Sequence, residues 1–235
     1  MANNNMTIRF APDGFSFAEG SDCEAALSEA PFNAIAPGPD FGHQLQEKVL
    51  DLVPIGEQLT NLTCQFISTR VILLPPDITD SSVAEEMYHL TINRADADQQ
   101  LLLQPVELKG GQTITLCFGI DRDLFLFLQR NYGELTFEHR LASLITEGSR
   151  KSSGTCLVVR CDSQTLELVL FRNNQVEMAN VYHATQVDTR CYYVMNTWLQ
   201  MGLDQLEDNL LVVSTGTEGL QIRASLHRFI KHVFS

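Results

Sequence analysis

The stretch from Cys156 to Tyr182 constrains the fold most. Cys156 to Arg160, Leu166 to Arg172 and Val176 to Tyr182 are β-branched and apolar runs of strand length. They are joined by Cys161-Asp162-Ser163 and by Asn173-Asn174. Connections this short reverse the chain as hairpins, so the three runs predict an antiparallel meander. A helix should follow over Asp188 to Met201, because Cys191, Val194, Met195, Trp198 and Met201 form one stripe and Gly202 stands at the C-cap position. Leu210 to Ser214 then reads as a buried strand. A terminal helix after Gly216-Thr217-Glu218-Gly219 has Leu220, Ala224, Phe229 and Val233 as its expected core contacts.

The preceding part is less regular. Thr7 to Phe10 and Phe15 to Phe17 flank Ala11-Pro12-Asp13-Gly14 and predict a hairpin. Residues 19–42 carry glycines and prolines and predict a long connection, with at most a helical turn at 24–29. Leu45, Val49 and Leu52 predict a helix that Pro54 stops. Strands are expected over Leu62 to Thr69 and Val71 to Leu74, and a helix over Ser81 to Leu90 capped by Asp77 or Thr79. Further strands are read at Leu101 to Leu103, Val106 to Leu108 and Thr113 to Phe118, with Gly110-Gly111 as a hairpin turn. A helix from Asp121, a strand at Leu135 to Phe137 and a helix over Arg140 to Thr146 complete this part. The small, polar run at 148–154 is the expected boundary, dividing the chain into lobes 1–150 and 151–235.

A chain of 235 residues with 44% hydrophobic and 19% charged side chains has the composition of a globular protein. Its 29 acidic against 16 basic residues give −13, a charge that repels nucleic-acid phosphates and anionic lipid. No nucleic-acid partner is expected. No apolar run reaches membrane-helix length, which predicts no membrane insertion. The opening Met1 to Met6 lacks the basic and apolar segments of a leader, and the expected location is cytoplasmic. The six cysteines contain no Cys-x-x-Cys pair, so no zinc or other metal site is read.

Three meandering strands, a crossover helix, a strand and a closing helix are the elements of the ribonuclease-H-like subdomain that actin-like and hexokinase-like proteins carry twice. The expected fold class is therefore α/β with mixed sheets, as two ribonuclease-H-like subdomains in an actin/hexokinase-like arrangement. The first lobe is read as an irregular copy. The opening hairpin, Leu73-Leu74-Pro75, the meander, the Tyr192-Tyr193 helix ending near Leu203-Asp204, and Leu211-Val212-Val213-Ser214 together resemble an uncharacterised bacterial domain-of-unknown-function family with an actin-like ATPase fold. The resemblance spans nearly the whole chain. It implies a two-lobed fold related to the cytoplasmic actin-like proteins of pilus and secretion machines, and it implies no established activity.

Actin-like ATPases bind nucleotide through turns in which a carboxylate organises Mg²⁺ and glycine amides approach phosphate. The corresponding positions are Asp13 in the first turn, Asp162 in the second, and Gly216 with Gly219 near adenosine. Pro12 withholds an amide and Phe15 stands where a hydroxyl belongs, while Ser163-Gln164 follows Asp162 without a glycine. Both turns read as plain hairpin turns, and Gly216 and Gly219 as chain-reversal and capping glycines. No Rossmann or P-loop glycine pattern, metal-binding histidine pair or serine elbow occurs. Glu138-His139 is read as structural in preference to an acid–base pair. The sequence therefore predicts no catalytic residues and no cofactor, in a scaffold or regulator that works through an unknown protein partner. The rivals are an ATP- and Mg²⁺-dependent phosphotransferase or ATPase, and a binder of another small molecule in the inter-lobe cleft.

Overall fold

The computed structural model describes residues 5–19, 26–27, 29–53, 61–78, 80–92, 98–214 and 216–235. These form two compact units. The first comprises Met1–Ser68, His89–Gln104 and Phe118–Arg140, and the second Thr69–Tyr88, Pro105–Cys117 and Leu141–Ser235.

The first unit opens with β1 (Asn5–Ala11), β2 (Gly14–Glu19) and β3 (Asn33–Ala34), an antiparallel meander. Gly14 is required at the first turn: its φ is 154°, and a Cβ there would lie 2.2 Å from the carbonyl oxygen of Asn33. Helix α1 (Phe41–Leu52) buries Leu45 and Val49, then returns the chain to β4 (Asn61–Phe66), parallel to β1. The last strand, β8 (Leu135–His139), runs parallel to β4. The sheet order is β3-β2-β1-β4-β8. Ile8, Phe10, Cys64 and Phe66 are among its buried residues, and the Phe10 and Phe66 rings stack with centroids 5.1 Å apart. Burying such side chains contributes roughly 1.5–3 kcal/mol each.

Between β4 and β8 the chain makes β5 (Val71–Leu74), α2 (Ser81–Thr91), β6 (Gln99–Glu107), β7 (Thr113–Asp121) and α3 (Arg122–Asn131). The three strands form a sheet in the order β5-β7-β6. Asp80 caps α2, accepting the Ser82 amide at 2.8 Å, in place of the expected Asp77; Thr79 lies outside the described residues. Asp121 caps α3 through the Leu124 amide at 2.9 Å. One strand, β6, replaces the two expected on either side of Pro105. It is an edge strand, the place in a sheet where proline is tolerated. Of the helical turn expected at 24–29, residues 26, 27 and 29 are described, and all three are helical.

The second unit contains α4 (Leu141–Lys151) and the meander β9 (Cys156–Cys161), β10 (Thr165–Arg172) and β11 (Gln175–His183). Asn173 and Asn174 both take positive φ, 53° and 63°, as a two-residue hairpin turn of right-handed twist demands. Helix α5 (Val187–Gln200) crosses to β12 (Asn209–Val212), parallel to β9. It ends on Gly202, whose φ is 64°, with the Leu203 amide reaching back to the Trp198 carbonyl at 2.9 Å. With a last short strand, β13 (His232–Phe234), parallel to β12, the sheet order β11-β10-β9-β12-β13 reproduces the first unit's pattern of three antiparallel strands followed by two parallel additions beside the first.

Two expectations in this unit are corrected. Helix α4 continues through Gly148 to Lys151, so 148–151 is helix and not linker. A Cβ on Gly148 would lie 2.5 Å from Phe171 Cε2 and 3.1 Å from Val158 Cγ2, so glycine here brings the helix onto the sheet. At the end of the chain, α6 (Thr217–Leu226) is followed by β13. Ile222, Leu226 and Ile230 enter the core, whereas Leu220 and Phe229 are 63% and 55% exposed. Val233 is buried as expected, but from a strand.

Candidate functional site

Asp13 lies in the β1–β2 turn of the first unit, where its carbonyl accepts the Ile35 amide at 2.9 Å. Phe15, two residues on, is wholly buried against Phe10 and Phe17. The position that a phosphate-binding hydroxyl would take is therefore core, and Pro12 beside it has no amide to offer.

Asp162, Gly216 and Gly219 belong to the second unit, where Ser214 ties their turns together. Its Oγ accepts the Cys161 amide at 2.6 Å and donates to the Cys161 carbonyl at 3.0 Å. Gly219 packs on the same serine, and a Cβ there would meet the Ser214 carbonyl oxygen at 2.2 Å. Gly216 is the α6 N-cap residue with an extended ψ of −176°.

The β9–β10 turn is closed by its own carboxylate. Asp162 Oδ1 accepts the amides of Gln164 at 2.8 Å and Thr165 at 2.7 Å, and Oδ2 accepts the Thr165 hydroxyl at 2.9 Å. Successive amides turned toward one point form an anion-binding nest. Here the anion is supplied by the turn. Arg190, a buried residue of α5 that sequence reading missed, holds the turn from beneath. Its guanidinium donates to the carbonyls of Asp162 at 2.6 Å, Ser163 at 3.1 Å and Ala184 at 2.8 Å. A second carboxylate, Glu218, occupies the first turn of α6, where a helix attracts anions. Burial raises the Cys161 thiol above its usual value, opposed by the Ser214 hydrogen bond and Arg190 and reinforced by Asp162 and Glu218.

A cavity of about 270 Å³ adjoins Ser214 and Gly219 and is also lined by Lys151 and Arg223. Lys151 pairs with Glu147 at 2.7 Å, and Arg223 donates to Ser235 Oγ at 2.9 Å.

Elsewhere, His139 is buried, with Nε2 3.0 Å from the Ser68 carbonyl oxygen. A carbonyl only accepts, so that nitrogen carries the hydrogen and is not a base toward Ser68 Oγ, 3.5 Å away. Within the second sheet, buried Glu167 pairs with Arg160 at 2.6 Å, and Arg160 also donates to Ser143 at 2.9 Å. Alternation alone does not distinguish Glu167 from its apolar neighbours. Among the described residues, no three histidine, cysteine or acidic side chains form a metal-binding group, and no helix is long and apolar enough to cross a membrane.

Two five-stranded mixed sheets with the same strand order, each flanked by helices, define a mixed α/β protein of actin-like ATPase fold. The chain belongs to the family described as Protein of unknown function (DUF3822), which it matches over residues 1–233. No curated protein matches it in sequence. A crystal structure from Bacteroides thetaiotaomicron VPI-5482, of a protein with actin-like ATPase fold and unknown function, is 20% identical at a TM-score of 0.78, covering 99% of this chain and 90% of that one. The PilM–PilN type IV pilus biogenesis complex gives 11% identity and a TM-score of 0.60, covering 98% of this chain and 87% of that one.

Proposed function

We propose that this chain is a non-catalytic, bacterial, cytoplasmic protein of actin-like fold that works through protein–protein contacts, as a scaffold or regulator. One observation carries the reading: Asp162 holds the two amides and the hydroxyl of its turn that a phosphate would need. Glu218 adds a second negative charge at the α6 N-terminus. An incoming triphosphate would have to displace the first carboxylate and approach the second, within a chain of charge −13. The first turn gives no help, with Pro12 lacking an amide and Phe15 buried. A solved protein of similar fold is part of a complex, PilM with PilN, which supports contact-mediated work for this fold.

The nucleotide-binding rival draws on a separate observation, the bare Gly219 backbone beside a cavity bearing Lys151 and Arg223. Phosphate release from ATP with Mg²⁺ tests the two. The proposal expects none above the no-protein control, and turnover lost in Asp162→Ala would replace it with the rival.

A further inference from the structure

Helix α5 carries its apolar residues on two sides. Arg190, Val194, Thr197 and Trp198 face the core. Tyr192 and Leu199, seven residues apart and so close to two turns of about 3.6 residues, lie on the opposite side. They are 63% and 76% exposed. An amphipathic surface helix places polar residues there. Leu206, 62% exposed, extends the strip beyond the helix, and its amide is pinned by Asp204 Oδ1 at 2.7 Å. A groove of about 490 Å³ runs beside the strip, lined by Met195, Trp198, Leu199, Leu203 and residues 204–206. At the other end, the Tyr192 ring meets Tyr193 edge-on at 5.6 Å, and Tyr193 stacks on Tyr182 of β11 at 4.3 Å. Tyrosine and methionine are enriched at interface centres, and the exposed leucines add apolar area for such a centre to bury.

The charges around the strip fix the kind of partner. Asp188 precedes it, while Asp204, Glu207 and Asp208 surround Leu206. Of the cations nearby, Arg190 is buried, Arg172 pairs with Glu177 at 3.0 Å, and Lys231, placed at the turn by its backbone amide on the Gln205 carbonyl, sets one positive charge against the four carboxylates. An anionic membrane surface has the wrong sign. A second copy docked face to face would bring two acidic rims together.

We propose that the Tyr192–Leu199–Leu206 face is the docking site for an amphipathic basic segment of another protein. Its apolar residues, at three- and four-residue spacing, fill the groove while its lysines or arginines meet Asp188, Asp204 and Glu207. This deepens the contact-mediated reading above and rests on it. A failure here leaves that reading to its own nucleotide test.

The experiment selects a tryptophan-free displayed peptide library against the folded full chain. Affinity is then read from Trp198, the single tryptophan and a wall of the groove. The expected binders combine Leu, Ile or Phe at helical spacing with Lys or Arg and shift Trp198 emission saturably. They lose at least tenfold in affinity for Leu199→Glu/Leu206→Glu. Glu207→Lys, which leaves the apolar strip intact, should weaken them severalfold and flatten their salt dependence. Circular dichroism and melting of both variants should match the parent, since the altered side chains are exposed. The proposal is overturned by an absence of binders, by binders without basic residues, or by binders indifferent to Leu199→Glu/Leu206→Glu. Sedimentation as a dimer that this variant dissolves would also overturn it.

Discussion

Asp162 Oδ1 accepts the Thr165 amide at 2.7 Å, and the Asp162 carbonyl accepts Arg190 at 2.6 Å, so one residue closes its turn from above while α5 holds it from below. Replacing Asp162 with alanine frees two amides and a hydroxyl in a half-buried turn. The expected loss is about 1–2 kcal/mol, because solvent repays part of each hydrogen bond. Asp162→Asn keeps an amide oxygen to accept and should lose less. Urea midpoints at constant slope measure both.

Gly148 brings α4 onto the sheet against Phe171 and Val158. Gly148→Ala should destabilise by roughly 1–3 kcal/mol through overpacking. Gly42→Ala is the matched control, since a Cβ there meets nothing within 4 Å. It should be neutral or stabilise by about 0.5–1 kcal/mol, the usual gain from replacing a helical glycine.

Arg160 and Glu167 face each other across β9 and β10, with Glu167 fully buried. Arg160→Met leaves the carboxylate without its guanidinium and should cost about 3–5 kcal/mol. Arg160→Met with Glu167→Leu removes both charges and should recover most of that loss. Chemical denaturation of the two variants gives the comparison.

Five cysteines among the described residues are free: Cys64, Cys117, Cys156, Cys161 and Cys191, while Cys23 lies outside them. Burial pushes the Cys64 and Cys156 thiols up to about 12 and Cys117 up to about 11, from 9.0. The folded state thus holds these protons more tightly than the unfolded chain. Their contribution is whole below pH about 9 and is lost as pH rises toward about 12, at roughly 1.4 kcal/mol per pH unit for each of Cys64 and Cys156. Stability should fall above pH about 9, and less steeply in Cys64→Val. Unfolding at stepped alkaline pH reads the slope.

The stretch of the second unit from Leu141 to Phe234 was largely legible because its elements follow one another without interruption. Asn173-Asn174 marks a hairpin, and Gly202 marks the end of α5. In the first unit the same strand order is split by residues 67–134 between β4 and β8, where the second unit has only 213–231 between β12 and β13. A repeat interrupted in this way leaves no period to detect. Edge-strand Pro105 and helical Gly148 were misread because proline and glycine mark breaks only where neighbours do not decide. Three-residue β13 is too short to show alternation. Of the candidate site, Asp162 was visible as a turn residue. Arg190 was not, since no local pattern tells a buried arginine that reaches three carbonyls from an exposed one.

Thermal melting with and without ATP and Mg²⁺ tests the central claim most directly, because a ligand that binds only the folded state must raise the midpoint. With Asp162 holding its own turn, the midpoint should not move at millimolar nucleotide. A saturable rise that disappears in Asp162→Ala would contradict the account and make the chain a nucleotide-binding protein.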